Sequence, residues 1–397
     1  MNATASPSTS PNSAADAIFM DRALELAARG IALASPNPLV GAVLVRDGRV
    51  VGEGFHTYDG VRHAEVIALE AAGESARGAT LYINLEPCCH TGRTGPCTQA
   101  LIAAGVTHVI AAMADPNPAV AGRGFEQLRA AGIEISAGLQ EAEARRLNEA
   151  FACWIVSRKP LVTLKSALTL DGQLVLADAK RGARKGARRS ERNSEKDRWI
   201  SSPESRAEVQ RMRHASDALL TGVGTVLVDD PLLTDRTGLL RRRKLLRVVL
   251  DSRLRLPLRS KLVRSADGDV LVYTRAKEES PKARALRRAG VEVMRLAGRG
   301  ARPDLVEAVA ELGRREILSV LLEAGAILNS EALAAGIVDK MRLFYAPKIS
   351  GLATEKPRTS SAPARLRAVQ DLTNITIEPF GSDFAIEGYL RDVYRTR

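Results

Sequence analysis

Three side chains far apart in the chain, His63, Cys88 and Cys97, constrain its fold more than any other feature. One imidazole and two thiolates can hold a zinc ion, one per chain, and leave a fourth position open. For them to meet, two helix starts and a loop must converge, and the local sequence supplies these elements. His63–Ala72 (HAEVIALEAA) has helical periodicity and puts His63 and Glu65 in its first turn. Thr80–Leu85 reads as a short strand, with Cys88 on the strand-to-helix loop that follows. Cys97 opens the next helix, to about Ala104. Thiols near helix N-termini ionise easily, which favours the thiolate a metal needs. Cys89 competes by proximity, but Cys88 follows Glu86-Pro87 and is the preferred ligand.

The chain has 4 cysteines and 5 histidines in 397 residues, and three of those cysteines and one histidine fall within Cys88–Cys97. So few cysteines in so long a chain do not make a disulfide framework. Glu65, two residues after the first ligand, adds a carboxylate that does not bind the metal. Zinc makes a hydroxide available near neutral pH, and such a glutamate carries the proton to a leaving amine. The H-x-E…P-C-x-x-C pattern of zinc deaminases is matched except that the interval from Cys88 to Cys97 is longer.

The length allows two domains with sizeable cores. No apolar run is long enough to span a bilayer. The start, MNATASPSTSPNSAADA, lacks a basic n-region and reads as a short disordered tail, residues 1–15. Free thiols point to a reducing, cytoplasmic setting. Half of the net charge of +12 sits between Lys180 and Arg198, where nine basic residues face three acidic ones. That stretch is poor in apolar and aromatic residues. It reads as a solvated insertion (about 178–198), with an anion-attracting loop or a nucleic-acid contact as lesser readings.

Helices and strands alternate from Asp16. A helix to about Ala32 precedes strands at Val40–Arg46 and Val50–Gly54. Beyond Cys97 come strands at His108–Met113 and Ile133–Ser136, with helices at Gly124–Ala131 and from Glu141. The pattern breaks at Arg158-Lys159-Pro160, so domains over 16–158 and 159–397 are expected. The second half repeats the alternation, with strands at Leu161–Ala167, Ala218–Thr221, Leu246–Leu250, Val270–Thr274, Val291–Met294, Ser319–Leu322 and Lys340–Ala346 and helices at Pro203–His214, Pro281–Ala289, Arg302–Arg314 and Ala326–Gly336. This predicts two α/β domains with mainly parallel sheets. No G-x-G-x-x-G is present; Gly222-Val223-Gly224 after a strand is only its beginning, or a tight turn.

Longer motifs carry a resemblance. They are SPNPLVGAVLV (Ser35–Val45), GEGFH (Gly52–His56), HAEV (His63–Val66), LEPCCHTGRTGPC (Leu85–Cys97) and DPNPAVAGRG (Asp115–Gly124) in the first half. The second half has LKSALTLDG (Leu164–Gly172), WISSPESR (Trp199–Arg206), TGVGTVLVDDPLLTDR (Thr221–Arg236), LDS (Leu250–Ser252) and LLEAGAILN (Leu321–Asn329). Together they resemble the bifunctional deaminase/reductase family of riboflavin biosynthesis, from about Asp16 to the C-terminus.

The resemblance implies a cytidine-deaminase-like α/β/α domain followed by a dihydrofolate-reductase-like α/β domain. It implies removal of the 2-amino group of 2,5-diamino-6-(5-phosphoribosylamino)pyrimidin-4(3H)-one. NADPH reduction of the product's ribosyl group to ribityl would follow. By matched position, His63, Cys88 and Cys97 would hold zinc, and Glu65 would move the proton. Asn37, His56, His90 and Arg93 would line the deaminase pocket, with Arg93 on the substrate phosphate. Asn37 between prolines also suits a plain turn. Leu168, Trp199, Thr225, Asp229, Ser252 and the run Gly325, Ala326, Ile327, Leu328, Asn329, Ser330, Glu331 would contact NADPH. The helix opening at Ala326 would offer its free N–H groups to a cofactor phosphate. Arg213, Leu233, Arg236 and Glu323 would contact the reductase substrate, and Lys165 would orient it near the hydride.

The chain departs from the family at Gly95, usually proline, at Cys89, often serine, and in the basic stretch. There Asp197 stands where a serine is usual, and a carboxylate does not favour a phosphate. A working deaminase with an impaired reductase half is therefore one alternative; a nucleic-acid-editing deaminase is another, disfavoured by the second-half motifs. The expected partner is a small phosphoribosyl pyrimidine, with no nucleic acid or membrane, in a homo-oligomer.

Overall fold

The computed structural model describes residues 14–174, 200–298, 302–350 and 369–395. Most of the N-terminal tail, the basic stretch, Asp197 and Trp199 lie outside the described residues. The chain divides into two compact units. The first runs to Ser157 and also takes in Leu240–Arg243 and Tyr394; the second comprises Arg158–Leu239 and Lys244–Val393.

In the first unit, α1 (Ala14–Ala28) leads to a hairpin of β1 (Gly41–Arg46) and β2 (Arg49–Phe55). The hairpin turns on Asp47 and Gly48, both at positive φ, as a two-residue Asp-Gly turn requires. Then come α2 (Ala64–Ala72), β3 (Thr80–Ile83), α3 (Cys97–Ala104), β4 (His108–Ala111), α4 (Arg123–Ala130), β5 (Glu134–Ala137), α5 (Glu141–Leu147) and α6 (Glu149–Ser157). The sheet order is β2-β1-β3-β4-β5. β1 is antiparallel to both neighbours, while β3, β4 and β5 are parallel, so this sheet is mixed rather than mainly parallel.

Alternation along β1 sorts its side chains to the two faces. Ala42 and Leu44 join Ala64, Ala68, Leu101 and Leu128 from α2, α3 and α4. Val43 and Val45 join Met20, Ala23, Leu26 and Ala144 from α1 and α5. The result is an α/β/α sandwich buried on both faces. Several boundaries shift by a few residues. The first helix stops at Ala28 because the chain turns soon after, with Ala32 at φ 61. β3 and β4 each end two residues early, where Asn84 turns its side chain to Leu39 and Gly41.

The second unit holds β6 (Leu161–Thr169), α7 (Pro203–Ala215), β7 (Ala218–Gly222), α8 (Val223–Asp229), β8 (Leu246–Leu250), α9 (Lys261–Arg264) and β9 (Val270–Thr274). α10 (Pro281–Arg288), β10 (Val291–Arg295), α11 (Leu305–Arg314), β11 (Ser319–Glu323), α12 (Ala326–Ala334), β12 (Lys340–Ala346), β13 (Thr373–Phe380) and β14 (Asp383–Tyr389) follow. Its sheet runs β10-β9-β8-β7-β11-β6-β12-β14-β13. All pairings are parallel except the last two, which involve β14.

Ser202 and Ser280 cap α7 and α10, each followed by proline at the first helical position. Asp304 caps α11, so that helix opens at Leu305 rather than Arg302. α8, α9, β13 and β14 add to the expected set. Among the described residues, no helix is long and apolar enough to cross a membrane.

Candidate metal centre and cofactor cleft

His63 is the N-cap residue of α2, one position before the first turn in which it was expected. Glu65, in that turn, is buried at 3 % exposure. Glycines place this helix on the sheet. A Cβ on Gly54 would lie 2.3 Å from the Ala64 carbonyl oxygen, and one on Gly52 would lie 2.1 Å from that of Ala68. α2 therefore rests on bare backbone of β2, which gives the GEGFH motif a packing role.

Cys88 lies on the loop after β3 and Cys97 opens α3. The Nδ1 of His63 is 3.2 Å from the Cys97 Sγ and 3.4 Å from the Cys88 Sγ. Ligands on a tetrahedral zinc, at about 2.1 Å for nitrogen and 2.3 Å for sulfur, stand about 3.5 Å apart. The donor set and spacing therefore fit the ion, and Cys88, not Cys89, joins the cluster. The Cys97 thiol, followed by His63 and the Cys97 N–H, pulls the Cys88 thiol below its usual range, the direction a metal-ligating sulfur requires. Burial, helped by Cys88, pushes the Glu65 carboxyl above its usual range.

The loop that presents Cys88 is held by a residue whose role the motif does not reveal. Buried Glu86 accepts four backbone N–H bonds. Its Oε1 takes those of Gly124 (2.8 Å) and Phe125 (3.2 Å), and its Oε2 takes those of Gly122 (2.9 Å) and Asp115 (3.1 Å). The DPNPAVAGRG segment thus wraps one carboxylate. A Cβ on Gly124 would strike the Pro87 carbonyl oxygen at 2.2 Å. Asn84 and Asn148 do similar work for the Asn37 loop, since both amides bond the backbone of Leu39.

The rings of His56 and His63 meet edge to face at 5.3 Å between centroids. His56 is buried, and burial lowers its pKa, so it is neutral. Its Nδ1 faces the Arg62 carbonyl at 2.9 Å and must donate, which leaves Nε2 to accept from the Asn37 amide at 2.9 Å. Asn37 and His56 thus form one unit beside the cluster. Arg93 donates to the Tyr58 carbonyl at 2.9 Å. His90 is exposed on the 88–97 loop.

In the second unit, Lys165 and Glu323 are register partners on β6 and β11. Arg213 grips Glu323 with two bonds, 2.7 Å and 3.0 Å, and the Lys165 Nζ is 3.8 Å from the same carboxylate. Burial lowers the Lys165 pKa despite that neighbour. Burial alone would raise Glu323, but Lys165, Arg213 and Arg236 hold it low. Leu233 packs into the core with Val226 and Val249.

Gly222 and Gly325 begin α8 and α12 with no side-chain cap, so both helices offer free N–H groups. A Cβ on Gly222 would touch the Leu328 Cδ2 at 3.4 Å, so the two helix starts are neighbours. Thr225 lies on α8, Asp229 ends it, Leu168 lies on β6 and Ser252 follows β8. The Asn329 side chain donates to the Ser166 Oγ at 3.0 Å, while its buried Oδ1 has no hydrogen-bond partner among the described residues. Paired anion-binding helix starts at strand C-termini, with an unsatisfied polar atom alongside, fit a nucleotide cofactor.

Comparison with known proteins matches both halves of the chain. The family model "Cytidine and deoxycytidylate deaminase zinc-binding region" matches residues 13–113, and "RibD C-terminal domain" matches residues 160–386. Riboflavin biosynthesis protein RibD of Escherichia coli is 41% identical over 347 residues, covering 85% of this chain and 89% of the relative. The Aquifex aeolicus protein of that name is 41% identical over 336 residues, covering 85% and 88%. The solved Acinetobacter baumannii RibD (form 1) has a TM-score of 0.76 at 35% identity, covering 94% of this chain and 98% of that one. The diaminohydroxyphosphoribosylaminopyrimidine deaminase/5-amino-6-(5-phosphoribosylamino)uracil reductase of Thermotoga maritima gives 0.73 at 35%, with the same coverages. The chain therefore belongs to the RibD family of riboflavin biosynthesis, bifunctional enzymes that join a zinc-dependent deaminase to an NADPH-dependent reductase.

Proposed function

We propose a division of labour among the residues of the two sites. In the first unit, His63, Cys88 and Cys97 hold zinc. When bound, the ion supplies the Lewis acidity that makes water a nucleophile near neutral pH. Glu65 takes the proton from the attacking water and gives it to the leaving 2-amino nitrogen. Its burial supports this, because a desolvated carboxyl retains a proton more readily than an exposed one. Asn37 directs its NH2 to His56, so its Oδ1 faces the ligand and accepts from a pyrimidine N–H. Arg93 meets the substrate phosphate, and exposed His90 closes over the pocket from the loop.

In the second unit, reducing a ribosylamine to a ribityl chain breaks the ring C1′–O4′ bond, adds a hydride at C1′ and puts a proton on the freed O4′. NADPH supplies the hydride. Lys165 supplies the proton, since burial weakens its hold on it. Arg213 fixes Glu323, and Glu323 keeps Lys165 charged and in place. Arg236 and Leu233 complete the substrate side. The helix starts at Gly222 and Gly325 receive the cofactor phosphates, while Leu168, Thr225, Asp229, Ser252 and Gly325–Glu331 line its path. The four free cysteines suit a reducing compartment, the cytoplasm.

The observation that carries the reading is the His63–Cys88–Cys97 cluster with buried Glu65 beside it. The test follows ammonia release and NADPH oxidation separately on the diaminopyrimidine phosphoribosyl substrate. Both signals are expected. Ammonia alone would leave the reductase half impaired, and neither would overturn the reading.

A further inference from the structure

α7 turns one face to the segment that follows Leu233. Gln210, Arg213 and His214 recur at the three- and four-residue spacing that lines one side of a helix. Each of them holds a residue of that segment. The Gln210 Oε1 accepts the Arg236 N–H at 3.0 Å. The Arg213 Nη1 donates to the Thr234 carbonyl at 3.1 Å. The His214 Nδ1 donates to the Asp235 Oδ2 at 2.8 Å, since a carboxylate oxygen only accepts. Both side chains of this pair are 8% exposed. The Asp235 Oδ1 in turn accepts the Thr237 N–H at 2.9 Å and the Thr237 hydroxyl at 2.8 Å.

Leu233 enters the segment at φ 57, in the left-handed region that a leucine disfavours, with its side chain buried. The turn is therefore held by its contacts and not by local preference, and those contacts are with α7. One group in the segment stands outside this bonding. Among the described residues, the exposed Arg236 guanidinium has no hydrogen-bond or ion-pair partner. Arg213 also grips Glu323 through Nε and Nη2, so α7 ties the Arg236 backbone to the Glu323–Lys165 pair. A backbone pinned at four successive residues, with an unpaired cation among them, is built to aim that cation at an anion from outside the protein. The substrate carries such an anion, its phosphate, and a guanidinium fork suits it. For stability alone, two apolar side chains would serve about as well as a buried His214–Asp235 pair. What the pair adds is a fixed direction.

We propose that His214 is a positioning residue of the reductase site, which acts through Asp235 to aim Arg236 at the phosphate of the phosphoribosyl substrate. The inference rests on the reductase reading of the second unit, in which Arg236 contacts that substrate. It gives the last turn of α7 two tasks, since Arg213 fixes Glu323 while His214 fixes the segment opposite.

The test supplies full-length protein with the deaminated phosphoribosyl product and NADPH. NADPH oxidation gives kcat and the KM of each, and the KM for NADPH reports the integrity of the cofactor cleft in the same unit. His214→Leu is expected to raise the KM for the phosphoribosyl substrate by about tenfold, the scale of one lost charge-assisted bond. The kcat and the KM for NADPH should stay within about twofold, because uniform binding alone is lost. His214→Gln keeps an N–H for Asp235 and should recover most of the loss. Arg236→Gln should raise the same KM, and adding His214→Leu to it should cost nothing more, because one residue acts through the other. Losses that multiply in the double variant would make His214 a structural strut and overturn the proposal. So would equal rises in both KM values, or an unaltered substrate KM in either single variant. If His214→Leu does not fold, Thr237→Val decides. It removes one bond from Asp235 and leaves His214 in place, so a smaller rise in the substrate KM is expected, and no rise overturns the proposal. A wild-type chain that oxidises no NADPH with the deaminated product removes the reductase reading itself, and the inference falls with it. Normal wild-type turnover with an unaltered His214→Leu removes the inference alone.

Discussion

The imidazole of His56 accepts, at 2.9 Å, from the side-chain amide of Asn37. Because the Arg62 carbonyl fixes the opposite ring nitrogen as a donor, this bond sets which atom Asn37 shows to a ligand. Asn37→Asp replaces the donor with an acceptor and sets two acceptors face to face. Deamination is expected to fall by about a hundredfold in kcat/KM with zinc retained, the scale of a lost and inverted buried hydrogen bond. Ammonia release and metal analysis on the same preparation check this, and near-normal turnover would remove the pair from the pocket.

Glu65→Gln leaves all three candidate ligands in place and removes the proton carrier. Zinc content should match wild type, while deamination drops by at least about two orders of magnitude. Reduction of separately supplied deaminated product should continue. Retained deamination would assign the proton to another group.

Gly54→Ala tests how α2 is seated. Its Cβ would overlap the Ala64 carbonyl oxygen, so the helix bearing His63 and Glu65 must move off β2. A loss of about 1–3 kcal/mol is expected, as overpacking typically causes. Denaturant unfolding reports it, together with weaker zinc retention against a chelator. A substitution without effect on either would show that the sheet yields instead.

Glu86→Gln turns an N–H donor towards two of the four N–H groups that the carboxylate now accepts. About 2–4 kcal/mol of stability should be lost, because donors are left unpaired in a buried place. Zinc should dissociate faster, since Cys88 rides on the same loop. Chelator competition with stopped-flow detection measures that rate, and an unaltered rate would separate the loop from the ligand.

The reductase half should show a pH signature from Lys165. Burial lowers its pKa below that of an ordinary lysine, so the protonated donor is lost as pH rises through that lowered value. The rate on deaminated product should fall on the alkaline side, earlier than a solvent-exposed lysine would allow. Glu323→Gln removes the neighbouring negative charge and lowers the Lys165 pKa further. The alkaline limb should then move to lower pH. A limb that stays in place would exclude Lys165 as the titrating donor.

The metal cluster and most helices and strands were legible because their signals are local. Cys97–Ala104, Leu246–Leu250, Val270–Thr274 and Lys340–Ala346 match expectation residue for residue. The C-terminal hairpin was not read, although Thr373–Phe380 alternates. Several of its apolar residues, Ile375 and Ile377 among them, face solvent, and Pro379 argues against a strand. Short α8 hid inside a Gly-Val-Gly that also suits a turn. Glu86 looked like part of a cysteine motif because a carboxylate that gathers four amides leaves no periodic trace. Arg242 gave no signal either, since its partners, the Ser35 carbonyl and the Tyr58 ring, lie some two hundred residues away in sequence.

The discontinuous make-up of the first unit bears on how the chain matures on the ribosome. N-terminal domains usually fold as soon as they emerge. Here the nascent chain can form α1 to α6 early, but Arg242 is still to be made, and so is Tyr394, whose hydroxyl bonds the Arg145 carbonyl at 2.7 Å. The last surfaces of the earliest-born unit are therefore closed only after the second unit has been made, so a stop before Arg242 releases a deaminase fold with its seams still open.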